Sequence, residues 1–198
     1  MRQVRASFTE TTIRVYQAYC PEVATKAVGA QTFAPPFKME RMTWIKPSFL
    51  WMMYRSGWGT KPGQERILAI DISRSGFEWA LGHGCLSHFD PAIYASHEDW
   101  LRATEQSPVR VQFDPDRSAT MEPLDTRAIQ VGLSGEAVQR YVREWITKVT
   151  DITEFVHELH ALVRSNLPDS YGPQLPKETL YPVPPNIGRR LGIAADVH

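Results

Sequence analysis

Apolar and polar positions alternate along several stretches of the chain, and that alternation predicts its strands. Thr12–Ala18 (TIRVYQA) sends Ile13, Val15 and Gln17 to one side and Arg14, Tyr16 and Ala18 to the other. Glu65–Ile72 (ERILAIDI) is the clearest strand, and Pro108–Phe113 and Arg127–Leu133 (RAIQVGL) follow the same rule. Met42–Ile45 is a short candidate, and Asp114-Pro-Asp-Arg117 has the composition of a turn.

Helical spacing appears between these stretches. Pro21 opens a helix that Gly29 closes; Pro47 opens another that ends at Ser56-Gly57. Ser73 or Ser75 caps a helix closing near Gly82 or Gly84, and Ser96-His-Glu-Asp99 reads as a capping box. Ser134 caps GEAVQRYVREW, whose Val138, Tyr141, Val142 and Trp145 share one face; Ile152–Val163 is a further amphipathic helix. Strict strand–helix alternation is not kept, so the pattern predicts a single α+β domain over residues 1–165, with a mixed or antiparallel sheet and flanking helices. Six of the fifteen prolines fall between Pro168 and Pro185, which sets residues 166–198 apart as a Pro-rich tail.

Charge sharpens one region. The 198 residues carry 22 basic and 22 acidic side chains, so any affinity for an anion must come from a local patch. Arg41–Gln64 (RMTWIKPSFLWMMYRSGWGTKPGQ) is such a patch: it holds Arg41, Lys46, Arg55 and Lys61, no Asp or Glu, and three of the six tryptophans, Trp44, Trp51 and Trp58. A cationic, aromatic, acid-free segment suits a flat anionic ligand such as a nucleotide; an aromatic core segment with snorkelling Lys and Arg stems is the competing reading. Pro47 at a helix start places Lys46 and Ser48 beside free backbone N–H groups, where anions bind.

Other chemistry is weaker. His157-Glu-Leu-His160 lacks the spacing of HExxH, and no metal is expected. Cys20 and Cys85 make no disulfide framework, Cys85 reads as a buried structural thiol, and Gly-rich phosphate loops are absent. The longest apolar run, Phe49–Met53, is too short to span a bilayer, and no signal-peptide core precedes it, so a soluble cytoplasmic protein without membrane contact is expected.

The segments VRASFTETTIRVYQAY, RMTWIKPSFLWMMYRSGW, KPGQERILAI and RAIQVGLSGEAV resemble an uncharacterised family, domain of unknown function 4291, across Arg2–Val163. A second resemblance, in element order, is to ADP-ribosyltransferases: an early strand that grips NAD, a helix, a segment carrying Ser, Thr or Tyr, and a late strand presenting a catalytic Glu. Val15–Tyr19 is similar to the first element, Ser48 with Tyr54 falls near the second, and Ile129-Gln-Val131 is the late strand, with Gln17 and Gln130 where His or Arg and Glu would stand. That resemblance implies an NAD-dependent transferase acting on an unknown acceptor. Gln17, Ser48 and Gln130 would form its catalytic set; Arg14, Arg41, Trp44, Lys46, Trp51, Tyr54 and Arg55 would bind the nucleotide. The alternative is a non-catalytic module that binds single-stranded nucleic acid through the same basic aromatic segment.

Overall fold

A computed structural model describes residues 2–165 and 168–193. Asn166, Leu167 and residues 194–198 of the Pro-rich tail, with Met1, lie outside the described residues. The α+β architecture expected from the patterning is present, with two larger sheets that meet at one point. Strands β2 (Thr12–Tyr19), β4 (Arg66–Ser73) and β8 (Ile146–Asp151) form an antiparallel three-stranded sheet in the order β2-β4-β8. Strands β3 (Thr43–Ile45), β5 (Gly84–Leu86), β6 (Val109–Arg117) and β7 (Pro123–Leu133) form a second sheet in the order β3-β7-β6-β5, parallel only between β5 and β6. An isolated bridge ties the sheets together: Tyr16 N–H donates to the Lys46 carbonyl at 2.8 Å and Lys46 N–H to the Tyr16 carbonyl at 3.3 Å.

Strand β4 is apolar in succession because both its sides are covered. Leu68, Ile70 and Ile72 join the main core with Ile13 and Val15, whereas Ile67 and Ala69 join a second core with Tyr16. Helix α2 (Phe49–Ser56) supplies Phe49, Met52 and Met53 to that second core, and α6 (Thr153–Arg164) supplies Val156, Leu159 and Val163. Helices α1 (Pro21–Ala30) and α3 (Arg74–Gly82) bury Ala24, Ala27, Phe77, Ala80 and Leu81 in the main core. Gly76 lets α3 lie directly against Trp145, since a Cβ there would sit 2.3 Å from the indole.

The four-stranded sheet is different. Ile45, Val109, Val111, Ile129, Val131 and Leu133 face the main core, so the intervening positions face away from it. Those outward positions are Trp44, Lys46, Gln112, Asp114, Gln130 and Gly132.

Three local expectations are corrected. Asp114–Arg117 is strand, not turn: β6 runs through it, paired with β7 as far as Arg117 opposite Pro123. Pairing along β7 supplies the ladder bonds that override local turn propensity. Pro47 lies outside α2, because Ser48 is its cap, its hydroxyl accepting the Trp51 N–H. Ser134 spends its hydroxyl on the Pro108 carbonyl, so Gly135, at φ 51°, precedes the short helix α5 (Glu136–Arg140), and a π-helical turn follows over Tyr141–Trp145.

The described part of the tail is packed. Strand β9 (Thr179–Leu180) pairs with β1 (Arg5–Ala6), Tyr181 is buried against Phe8 and Phe77, and the last helix (Pro185–Leu191) buries Ile187 and Leu191.

Candidate functional site

The outward face of the four-stranded sheet, where α2 begins, gathers most of the residues singled out in the sequence. Lys46 follows β3 by one residue, just past the Ile45–Val131 pair, and its backbone bridges to Tyr16 of β2; Gln130, the neighbour of Val131 on β7, lies opposite Gln112 on β6. Gln130 and Gln112 therefore form a cross-strand pair on the face that Lys46 shares. Asp114 sits beside this pair with both carboxylate oxygens held, Oδ1 accepting from Gln112 Nε2 at 2.9 Å and Oδ2 from Gln130 Nε2 at 2.7 Å.

Lys46 is the outlier of this face. It is only 8% exposed, yet among the described residues its ammonium makes a single hydrogen bond, to the Trp44 carbonyl at 3.3 Å. A buried ammonium has three protons to place and a large desolvation cost. Burial, with the Arg55 charge second, brings its pKa down to about 8 against the opposing pull of Asp114. Lys46, Arg55 and Asp114 thus share one electrostatic environment. The Arg55 guanidinium, on the exposed side of α2, has no partner among the described residues.

The start of α2 closes the site from above. Ser48 donates to Asp116 Oδ1 at 3.3 Å, and the same oxygen accepts the Arg117 N–H at 2.9 Å. Burial raises the Asp116 pKa against the pull of those two donors. The Phe49 N–H is taken by the chain itself: Glu178, from the segment before β9, accepts it at 2.7 Å. Burial, with the neighbouring Asp116 charge adding to it, pushes Glu178 up to about 8. The expectation of an open anion site at this helix end is corrected, since Glu178 and Ser48 already occupy Phe49 N–H and Trp51 N–H. On the next turn of α2, Tyr54 is held between Trp51, stacked at 5.3 Å, and the Arg117 guanidinium, 3.9 Å above its ring. The buried Trp51 Nε1 has no partner among the described residues. Trp44 lies over Gly132, where a Cβ would come within 3.0 Å of its ring.

Ser48, Gln130, Trp44, Lys46, Trp51, Tyr54 and Arg55 are therefore neighbours at one end of this face. Three other sequence candidates stand apart. Arg14 makes a two-pronged ion pair with Asp71 across β2 and β4, at 2.8 and 2.9 Å. Gln17 points to the opposite, core side, where it bonds Thr43, Tyr19 and Tyr141. Arg41 is exposed before β3 and lines a cleft on Gln17's side. Sequence reasoning missed Asp114, Asp116 and Glu178. Reading Asp114 and Asp116 as alternate residues of a strand, rather than as turn formers, would have put both on one face.

Of the histidines, His160 stacks on Trp58 at 4.8 Å with rings 2° from parallel, as a packed aromatic neighbour. No helix among the described residues is long and apolar enough to cross a membrane. A search of curated proteins returns no match. The sequence model of one family does match, over residues 3–181, and its span takes in the β3–α2 segment, β6, β7 and Glu178: the chain belongs to the family described as domain of unknown function DUF4291.

Proposed function

We propose that the outward face beside α2 binds a nucleotide, most concretely NAD, and transfers its ADP-ribosyl group to an acceptor. The observation that carries this reading is a buried, under-bonded Lys46 in the electrostatic reach of Asp114, a carboxylate gripped on both oxygens. Lys46 and Arg55 supply the charge for the pyrophosphate, and Trp44 offers an aromatic face for a ring. The resemblance expects a carboxylate on the late strand, where Gln130 stands. Gln130 instead holds the carboxylate of the adjacent strand, and Asp114 takes that part.

In the transfer, the bond from ribose carbon to nicotinamide nitrogen breaks, with its electron pair leaving on nicotinamide. The acceptor's lone pair forms the new bond to that carbon. Asp114 stabilises the positive charge that develops between these events, and its two amide donors fix it in place beforehand. Asp116, whose burial raises its affinity for protons, takes the acceptor's proton. The order of β2, α1, β3 and β7 agrees with the element order of the resemblance, and β3 touches both other strands.

Calorimetry with NAD tests binding, and transfer of labelled ADP-ribose tests the reaction. Lys46→Ala is expected to weaken binding about tenfold, a loss of ~1.4 kcal/mol. Asp114→Asn is expected to leave binding within about threefold while abolishing transfer. No heat at millimolar NAD, together with no labelled product on protein or nucleic acid, defeats the proposal. Affinity for a single-stranded oligonucleotide that collapses as salt rises would favour the non-catalytic alternative.

A further inference from the structure

On the other side of β3 a second polar cluster is built around Gln17, which is 3% exposed. Gln17 Oε1 accepts the Tyr141 hydroxyl at 2.6 Å; Tyr141 is fully buried and has no other hydrogen-bond partner among the described residues, which fixes the orientation of the amide. The two Nε2 hydrogens then go to Thr43 Oγ1 at 2.6 Å and Tyr19 OH at 3.0 Å. Those two hydroxyls also face each other at 2.9 Å. One hydrogen suffices for that contact, and between them they own two. The second has no acceptor among the described residues. Burial pushes Tyr19 up to about 12, so it keeps its proton at physiological pH.

Tyr19 and Thr43 open onto a cleft of about 250 Å³. Its other walls are Val23, Pro36, Phe37 and Met42, with Lys38 and Arg41 at the rim and no acidic residue in the lining. Phe37 is braced by Phe33, stacked at 4.5 Å, and by Tyr19, edge-on at 6.0 Å. The side chains of Lys38 and Arg41 have no partners among the described residues.

We infer that this cleft is a second binding site, for a single-ring aromatic anion that accepts a hydrogen bond from the Tyr19–Thr43 pair and sets its charge against Arg41 and Lys38. The volume, near the lower end for small-molecule pockets, holds one ring rather than a dinucleotide. The site lies on the opposite face of β3 from Lys46 and does not depend on the nucleotide proposal.

Carboxylate and phosphate could both supply the anion, so benzoate and phenyl phosphate are the probes. Benzamide serves as the neutral analogue and inorganic phosphate as the anion without a ring. Amide chemical shifts of the intact protein report where each binds. Benzoate or phenyl phosphate should shift the Tyr19, Phe37 and Thr43 amides and bind about tenfold more tightly than benzamide. Arg41→Ala, at an exposed position, should remove most of that preference for the anion, and Arg55→Ala should leave it unchanged. Tyr19→Phe should weaken both anions about fivefold. The inference is overturned if neither anion shifts these amides at ~20 mM, near the weak end of measurable affinity. It is equally overturned if benzamide binds as well as benzoate, or if Arg41→Ala has no effect.

Discussion

The two faces of β3 carry polar clusters of opposite character. On the core side, Gln17, Thr43, Tyr19 and Tyr141 satisfy one another with short hydrogen bonds and leave over a single hydroxyl hydrogen. On the outward side, Lys46 is nearly as buried with one 3.3 Å bond, and Asp116 and Glu178 both have raised proton affinity. A closed network of neutral groups rigidifies a fold. Charged groups left short of partners cost stability, and chains keep them where a ligand or a reaction uses the imbalance. The contrast teaches that burial alone does not mark a site; what matters is whether the buried groups are already served by the protein.

If that contrast holds, substitutions on the two faces shift stability in opposite directions. The largest effect is expected for Gln17→Ala, which leaves the Tyr141 hydroxyl unpaired in the core and opens a cavity. It should cost about 3 kcal/mol in urea unfolding. A loss under ~1 kcal/mol, the worth of one ordinary hydrogen bond, would mean that the network is not structural.

Glu178→Gln comes next, because glutamine can still accept the Phe49 N–H. In the wild type Glu178 titrates near 8 when folded and at its ordinary 4.5 when unfolded. The folded state therefore holds the extra proton between those values, and stability falls as pH rises through that window. The glutamine variant should lose this slope and be more stable than wild type above pH 8, by about 1–2 kcal/mol. An unchanged pH profile of Tm would refute the burial of this carboxyl.

Lys46→Met should stabilise the protein at pH 7 by about 1 kcal/mol while weakening NAD binding. Here the sign reverses: the folded pKa is depressed to about 8 from 10.5. The unfolded chain then binds the extra proton, so the lysine's contribution recovers as pH rises from 8 to 10.5, and methionine removes that rise. Together the two groups give the wild type a minimum near pH 8 in their joint contribution. Destabilisation by Lys46→Met would place the lysine among the structural groups.

The smallest effect belongs to Arg14→Ala. The Arg14–Asp71 pair is partly exposed, with the arginine side chain 39% accessible. Its loss should cost about 0.5 kcal/mol and leave NAD affinity unchanged. A tenfold loss of NAD affinity would bring Arg14 back into the site.

Much of this arrangement was legible in the sequence where the signal is local. Alternation located β2, β4 and most of β7, and the acid-free segment marked the junction of β3 and α2, where Lys46, Ser48 and Gln130 gather. Long-range pairing hid the rest. Asp114-Pro-Asp116 has turn composition, and only its register with β7 makes it strand. Glu178 reaches Phe49 across 129 positions from within a Pro-rich stretch, where no periodicity announces it. Gln17 and Gln130 stand at similar places in the pattern, yet the sheets send one inward and the other outward: Gln17 reaches Thr43 on the core side of β3, and Gln130 reaches Asp114 on the other.

The strap formed by β1 and β9 has a consequence for synthesis. Arg5 donates to the Glu178 carbonyl, Ser7 to the Lys177 carbonyl and the Tyr181 N–H to the Val4 carbonyl, so these residues are fastened by others made 170 or more positions later. While the chain emerges from a ribosome, the Phe49 N–H and the edge of β1 wait uncovered until Glu178 and Thr179 arrive. An interrupted product ending before them would expose a bare strand edge and a helix end still lacking its carboxylate. Such an edge invites pairing with another chain, so the same few residues that finish the outward face also guard the newborn protein against aggregation.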